Sequence, residues 1–356
     1  MNEERPSRQF KLRDLLIGTA CVALVMALIV PLILRAREAS RRVSCQNNMK
    51  QLILAVHNYE STHRCLPNAM GGTGGRNEMD GNLNRLSGFI ALTPYIEASP
   101  FFSYVMEGNS DDKKSYPAYG PAPWESAFSP WRYKFPVFHC PSAPELNYAI
   151  PSKNYAFCIG DAARNVHSMK EPRGMFAPGH YRKFSDVKDG LANTIALCEI
   201  GTLSGRANQG QVAIEQPVEW LENPSLAFAV SNGGAYLKST KLSQLGRGAN
   251  WVDGAGSFNL VNTILPPNAP SILMGTSETS DGLFTAGSFH SDGVNVAFGD
   301  GRVHFFSNPI NTGDLTKPVQ SVFLKLPSED GGTHVQQYGV WAALGSADGG
   351  EGSFLE

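Results

Sequence analysis

Few side chains in this sequence stand at spacings that would support chemistry. His290, Asp292 and Asp300 fall close together near the C-terminus and could form a metal or acid–base cluster. No second histidine stands at ligand spacing beside them, so the residues read better as structure. On that reading Asp300-Gly301 makes a hairpin turn, the Asp300 carboxylate satisfies local amides, and His290 bonds a backbone group nearby. The acidic pairs Asp111-Asp112 and Asp348/Glu351 could hold calcium, but neither has the spacing of a recognised loop. Asp189-Gly190 and Asn193-Thr194 read as turn chemistry ahead of a strand that Glu199 ends. No G-x-S-x-G, H-E-x-x-H or P-loop occurs, and the GGTGG run at 71–75 lacks the Lys-Ser/Thr that phosphate binding needs. Trp124, Phe128, Trp131 and Tyr133 could be a platform for a glycan or protein partner, or a satellite core under a long loop. The expectation is a protein without a catalytic site, metal or cofactor.

The elements that position these residues begin with an uncharged apolar run of 20 residues, Leu15 to Leu34. As a helix at about 1.5 Å per residue it crosses a hydrocarbon core roughly 30 Å thick. A cleaved signal would have a shorter apolar region ending at small residues. Here the run continues into LRAREASRR, which reads as more helix and so as a retained anchor. Arg5, Arg8, Lys11 and Arg13 precede the run and Arg35, Arg37, Arg41 and Arg42 follow it, so basic residues alone are nearly balanced across it. The short head and the large C-terminal part favour an N-terminus inside.

From Ala36 to about Ser61 the chain has neither Pro nor Gly. Cys45, Met49, Leu52, Ile53, Val56 and Tyr59 recur at steps of three and four and mark one apolar face. The prediction is one helix of about 50 residues and about 75 Å, lipid-facing in its first half and packed on a domain in its second. Pro31 should kink it. Beyond it, 36 Gly and 23 Pro favour turns and short strands, while 42% hydrophobic residues suffice for a core. Lys134–Cys140, Asn154–Ile159 and Thr194–Ile200 read as strands, and VNVAFGDGRVHFFS as a hairpin about Gly299-Asp300-Gly301. A net charge of −2 gives no reason to expect nucleic acid as a partner. Outside the membrane run lie Cys45, Cys65, Cys140, Cys158 and Cys198, an odd number without Cys-x-x-Cys, so at least one is unpaired and the pairing stays open.

In this order the segments resemble the DUF1559 family, prepilin-like proteins with an N-terminal methylation-type motif and a C-terminal H-x9-DG domain. Phe10 and Asp14 stand where that motif has its phenylalanine and its acidic residue, and Pro31 is twenty-one positions after Phe10. The extended helix, LTPYIE at 92–97, FHCPS at 138–142, DGLANTIALCE at 189–199 and DGGE at 348–351 follow in register. His290, nine residues and then Asp300-Gly301 complete the H-x9-DG pattern. Gln9 replaces the glycine of the cleavage motif, and Lys11 and Arg13 interrupt its apolar stretch.

The resemblance implies an α+β fold, with a long pilin-like helix packed on a mostly antiparallel sheet with long loops. It divides the chain into a cytoplasmic tail (1–9), a transmembrane helix (10–34), its continuation outside (35–61) and an α+β domain (62–356). It implies a disulfide between Cys45 and Cys140, since both recur in the family. It also implies a non-enzymatic pseudopilin-like protein of the inner membrane, whose partners are the lipid bilayer and copies of itself or a pilus or type II secretion-like assembly. The alternative is a membrane-tethered module binding a solute, glycan or surface protein. With Gln9 at the cleavage position, mass spectrometry of the mature chain should find its terminus at Met1 or Asn2. A terminus at Phe10 would mean pilin-type processing.

Overall fold

An apolar run that satisfies its own backbone and then acquires one polar face yields a single long helix. In a computed structural model, which describes residues 12–111, 114–202, 205–319 and 339–349, helix α1 spans Leu12–His63, 52 residues or about 78 Å. Pro31 lies inside α1 without ending it. Gln9 and Phe10 lie outside the described residues, and Asp14 falls in the first turn of α1. The side chains from Leu15 to Leu34 are exposed, and the helix is long and apolar enough there to cross a membrane. Farther on, Cys45, Met49, Leu52, Ile53, Val56 and Tyr59 are buried against the domain, with Ala55 among them. Arg64 ends the helix in a left-handed conformation (φ 59°), its N–H donating to the Glu60 carbonyl at 2.7 Å.

Eight short strands carry the domain's two larger sheets: β1 Tyr155–Cys158, β2 Ile195–Glu199, β3 Val212–Ala213, β4 Leu260–Val261, β5 Ser271–Leu273, β6 Gly282–Leu283, β7 Gly293–Phe298 and β8 Val303–Ser307. The main sheet has the order β4-β1-β2-β7-β8, antiparallel throughout except for the parallel β4/β1 pair. Strands alternate their side chains, so the two faces differ. Tyr155, Phe157, Leu197 and Ala297 pack in the same core as the buried face of α1. Ala156, Cys158, Cys198, Val294 and Val296 form a second core with Trp341 and Leu344 of the helix Gly339–Gly345. Both faces of β2 are therefore covered, and all five of its residues are buried. The smaller sheet, β6-β5-β3, has its own core of Leu221, Ile264, Leu265, Ile272 and Leu283.

The sequence assigns Lys134–Cys140 to a strand, and the structure does not. Pro136–Phe138 is a 3-10 turn in which Phe138 N–H donates to the Phe135 carbonyl at 3.1 Å. Pro136 removes a donor that a central strand would need. The turn instead aims both Phe135 and Phe138 at Trp251, with ring centroids 5.2 and 5.6 Å away. The reading of four aromatics as one group also divides. Phe128 and Trp131 are buried in the main core, while Trp124 and Tyr133 are 40% and 54% exposed.

The loops before β4 are held by a buried arginine. Arg247 donates from Nη1 to the carbonyls of Gly256 and Ser257, both at 2.8 Å, and from Nη2 to those of Leu260 at 2.6 Å and Thr285 at 3.3 Å. Burial lowers its pKa to about 9, and the four carbonyls do the work a carboxylate would do elsewhere. Arg247→Met removes four buried hydrogen bonds at once. Denaturant unfolding should show a loss of at least about 3 kcal/mol, since each buried acceptor left without its donor costs about 1–3 kcal/mol. A loss below about 1 kcal/mol would mean that the loops close on their own.

Candidate functional site

The polar residues of α1 do not all face water. Over residues 38–57 they reach across to the sheet and the loops around it, and the densest group gathers about His290. Ser288 and Gly293 set up the local fold there: His290 N–H donates to Ser288 Oγ at 3.1 Å, and Ser288 Oγ–H donates to the Gly293 carbonyl at 2.6 Å. The ring enters the seam between α1 and the sheet. Its Nδ1 lies 2.7 Å from Glu38 Oε1 on α1, and its Nε2 lies 3.3 Å from Glu199 Oε1 at the end of β2. This corrects the expectation that His290 bonds a nearby backbone group. Both of its ring nitrogens face carboxylates, one of them 252 positions away in the chain.

Glu199 is held in turn. Its Oε2 accepts the Asn295 backbone N–H at 2.7 Å and its Oε1 accepts Asn295 Nδ2–H at 2.9 Å. Asn295 Oδ1 accepts Gln46 Nε2–H at 3.0 Å, which returns the network to α1. Glu38 also accepts Ser142 Oγ–H at 3.0 Å and has Arg41 at 3.9 Å on its solvent side. Beside this network Cys45 and Cys140 form a disulfide, with Cys140 Sγ 3.4 Å from His290 Nε2. Tyr155 Oη–H donates to the Cys45 carbonyl at 3.3 Å.

The charges fit a cationic ring. Burial opposes charge on His290, but Glu199 and Glu38 outweigh it and raise the pKa above the ordinary histidine value. An imidazolium has a donor for each carboxylate, whereas a neutral ring has only one. Burial first and the Glu199 charge second hold the Tyr155 phenol well above its usual range, so it stays a donor.

The other half of the H-x9-DG pattern lies elsewhere. Asp300 makes the exposed turn between β7 and β8, accepting the Arg302 backbone N–H at 3.0 Å and Arg302 Nε–H at 2.7 Å. Gly301 takes φ 94° there, a conformation that favours glycine. His57 of α1 bonds the Gly299 carbonyl at 2.8 Å, so this turn too is tied to the long helix. Arg42 lies over the Phe305 ring at 3.6 Å, and Asn48 Nδ2–H donates to the His139 carbonyl at 2.7 Å. Asp189 accepts the Gly349 N–H at 2.7 Å, which is turn chemistry; Asp112 and Glu351 lie outside the described residues.

The sequence reading missed Glu38, Glu199, Asn295 and Gln46 as members of one site. Glu199 carried a signal, as the only charged residue in a run of otherwise strand-core type. Glu38 carried none, lying among Arg35, Arg37, Arg41 and Arg42 like any exposed helix residue. A cavity of about 380 Å³ opens at the far end of α1, beside Tyr59, His63, Phe102, Tyr119 and Tyr181, and none of the His290 group lines it.

A family model described as "Protein of unknown function (DUF1559)" matches residues 35–313, which include α1 beyond the apolar run, both larger sheets and the His290 group. No curated protein and no solved structure matches.

The raised pKa of His290 makes the seam sensitive to pH. In the unfolded chain the ring loses its proton near 6.5, while in the folded protein it does so at a higher value. The stability from the charged ring is thus complete below the unfolded value and is lost as pH rises through the folded one. His290→Gln keeps a donor but no charge. Its deficit in thermal stability against the wild type should be greatest near about pH 5.5 and narrow as the pH rises above neutrality. A deficit independent of pH over about 5.5–9 would mean that the ring is neutral in the fold.

Proposed function

The chain belongs to the DUF1559 family, and we propose that it is a non-enzymatic, pseudopilin-like envelope protein, a structural or assembly component of a pilus or type II secretion-like system. The observation that carries this reading is α1 itself. One unbroken helix has an apolar half with no partner among the described residues and a second half fixed to the domain by a disulfide, a buried histidine between two carboxylates and several side-chain ties. Such a stem can pack laterally against similar helices while holding its domain at a fixed angle. The His290 group suits a clamp better than a catalytic site, because its ring and Glu199 are buried and the nearby sulfurs are bonded to each other.

We place the domain outside the cytoplasm, with the apolar half of α1 in the inner membrane. Basic residues alone are nearly balanced, Arg5, Arg8, Lys11 and Arg13 before the apolar run against Arg35, Arg37, Arg41 and Arg42 after it, so the placement rests on the large folded domain that follows the run.

The second reading, a membrane-tethered module for a solute, glycan or surface protein, has the aromatic-lined cavity at the far end of α1 in its favour. A thermal-shift screen of the full-length protein in detergent would find its ligand.

Cys21 is exposed within the apolar run and provides a native probe for the first reading. Thiol cross-linking in membranes should give a dimer that Cys21→Ser abolishes. Monomer alone, under conditions where a control pilin cross-links, would reject lateral packing.

A further inference from the structure

The same seam holds a second, unused chemistry. Sγ of Cys45, Sγ of Cys140, a ring nitrogen of His290 and a carboxylate oxygen of Glu199 all lie within 4.8 Å of one another, and all four residues are buried. We propose that reduction of the Cys45–Cys140 disulfide converts this group into a tetrahedral site for zinc, with two thiolates, one imidazole and one carboxylate as ligands.

The geometry requires only small movements. Zinc sits about 2.3 Å from sulfur and about 2.0–2.2 Å from nitrogen or oxygen, so its ligand atoms stand about 3.3–3.8 Å apart. His290 Nε2 is already 3.3 Å from Glu199 Oε1 and 3.4 Å from Cys140 Sγ. The sulfurs must part by side-chain rotation from Cα atoms 5.0 Å apart. The surroundings are those of a metal site rather than of a bare disulfide. His290 Nδ1, the nitrogen away from the group, is held by Glu38 at 2.7 Å, the carboxylate–histidine relay that orients metal-binding imidazoles. Both Glu199 oxygens are aimed by Asn295.

The conversion balances with a dithiol reductant. Two electrons and two protons pass from the dithiol, which closes to its own disulfide, and the Cys45–Cys140 bond opens to two thiols. Zinc then binds as both thiols, and His290 Nε2 where it is protonated, release their protons to water. The ligands come from α1, from the loop after the Pro136–Phe138 turn, from β2 and from the segment before β7. The ion therefore crosslinks the same elements as the disulfide, and the stem stays fixed to its domain under oxidising and reducing conditions alike.

The test uses full-length protein in detergent, reduced with dithiothreitol, desalted under anaerobic conditions and titrated with cobalt(II), then zinc. One cobalt per chain should bind with the near-ultraviolet thiolate-to-cobalt band and the visible bands of a tetrahedral ion, and zinc should displace it. The oxidised protein should show neither. The double variant C45S/C140S keeps Cys21, Cys65, Cys158 and Cys198 and should lose the signal, whereas C21S/C65S should retain it. Glu38→Gln, which leaves every ligand in place, should weaken cobalt binding about 10–100-fold. Absence of the thiolate band, its persistence in C45S/C140S, or loss of the near-ultraviolet dichroism on reduction that zinc does not restore would each overturn the proposal.

Discussion

The fold depends on how a helix half of whose length has no partner among the described residues is held by its other half. Any force on the apolar half acts as a lever on the docked half, and the contacts nearest the apolar run bear it first. The strongest ties sit there. Glu38–His290, Arg42–Phe305, the Cys45–Cys140 disulfide and Gln46–Asn295 fall within nine residues, about 12 Å of helix. Closing a loop of 95 residues, the disulfide stabilises the fold by on the order of 4–5 kcal/mol in the chain-entropy account. Farther along, burial of Met49, Leu52, Ile53 and Val56 takes over, with His57 as the last polar tie. Peeling the helix from its loaded end therefore meets a covalent bond at Cys45, once Glu38–His290 and Arg42–Phe305 have given way.

An apolar face alone would not fix where along the sheet that helix lies. Leucine and isoleucine pack nearly as well after a slip of one turn, but a buried carboxylate does not tolerate losing its partner. Glu199 has His290 on one side and Asn295 on the other, and Gln46 of α1 reaches Asn295. A slip of α1 by one turn, about 5.4 Å, would break the Gln46 and Glu38 contacts together and leave buried polar atoms behind. The polar network and the Cys45–Cys140 bond thus set register together, while the apolar face supplies most of the burial.

Local periodicity explains what was legible in the sequence. The length of α1, its buried face from Cys45 to Tyr59 and the hairpin about Asp300-Gly301 are written in spacings of three, four and two, which a single stretch of chain displays by itself. The site has no such spacing. His290 belongs with Glu38 and Glu199 because the sheet and the helix bring them together, and a lone glutamate in an arginine-rich helix looks the same whether it faces water or a histidine. The parallel pairing of Leu260–Val261 with Tyr155–Cys158 was hidden for a similar reason, since two residues are too few to show alternation. At Lys134–Cys140 the pattern misled, because apolar residues around Pro136 meet the same core through a 3-10 turn as they would through a strand.

The position of the clamp also bears on what the protein is for. Glu38 follows the last apolar residue of the run, Leu34, by four positions, about 6 Å along the axis, so the seam begins directly beyond the apolar run. A receptor that captures a ligand gains reach and orientational freedom from a flexible linker between anchor and domain. Here helix continues without a break from the apolar run into the buried face, and no glycine or proline follows Pro31 before Pro67. The domain can turn relative to the apolar run only if α1 itself bends. Fixing that angle gives a solitary binding module little, but it is what neighbouring copies need if their stems are to pack side by side with their domains in one orientation. The stiffness of the neck therefore weighs toward an assembling subunit over a tethered receptor.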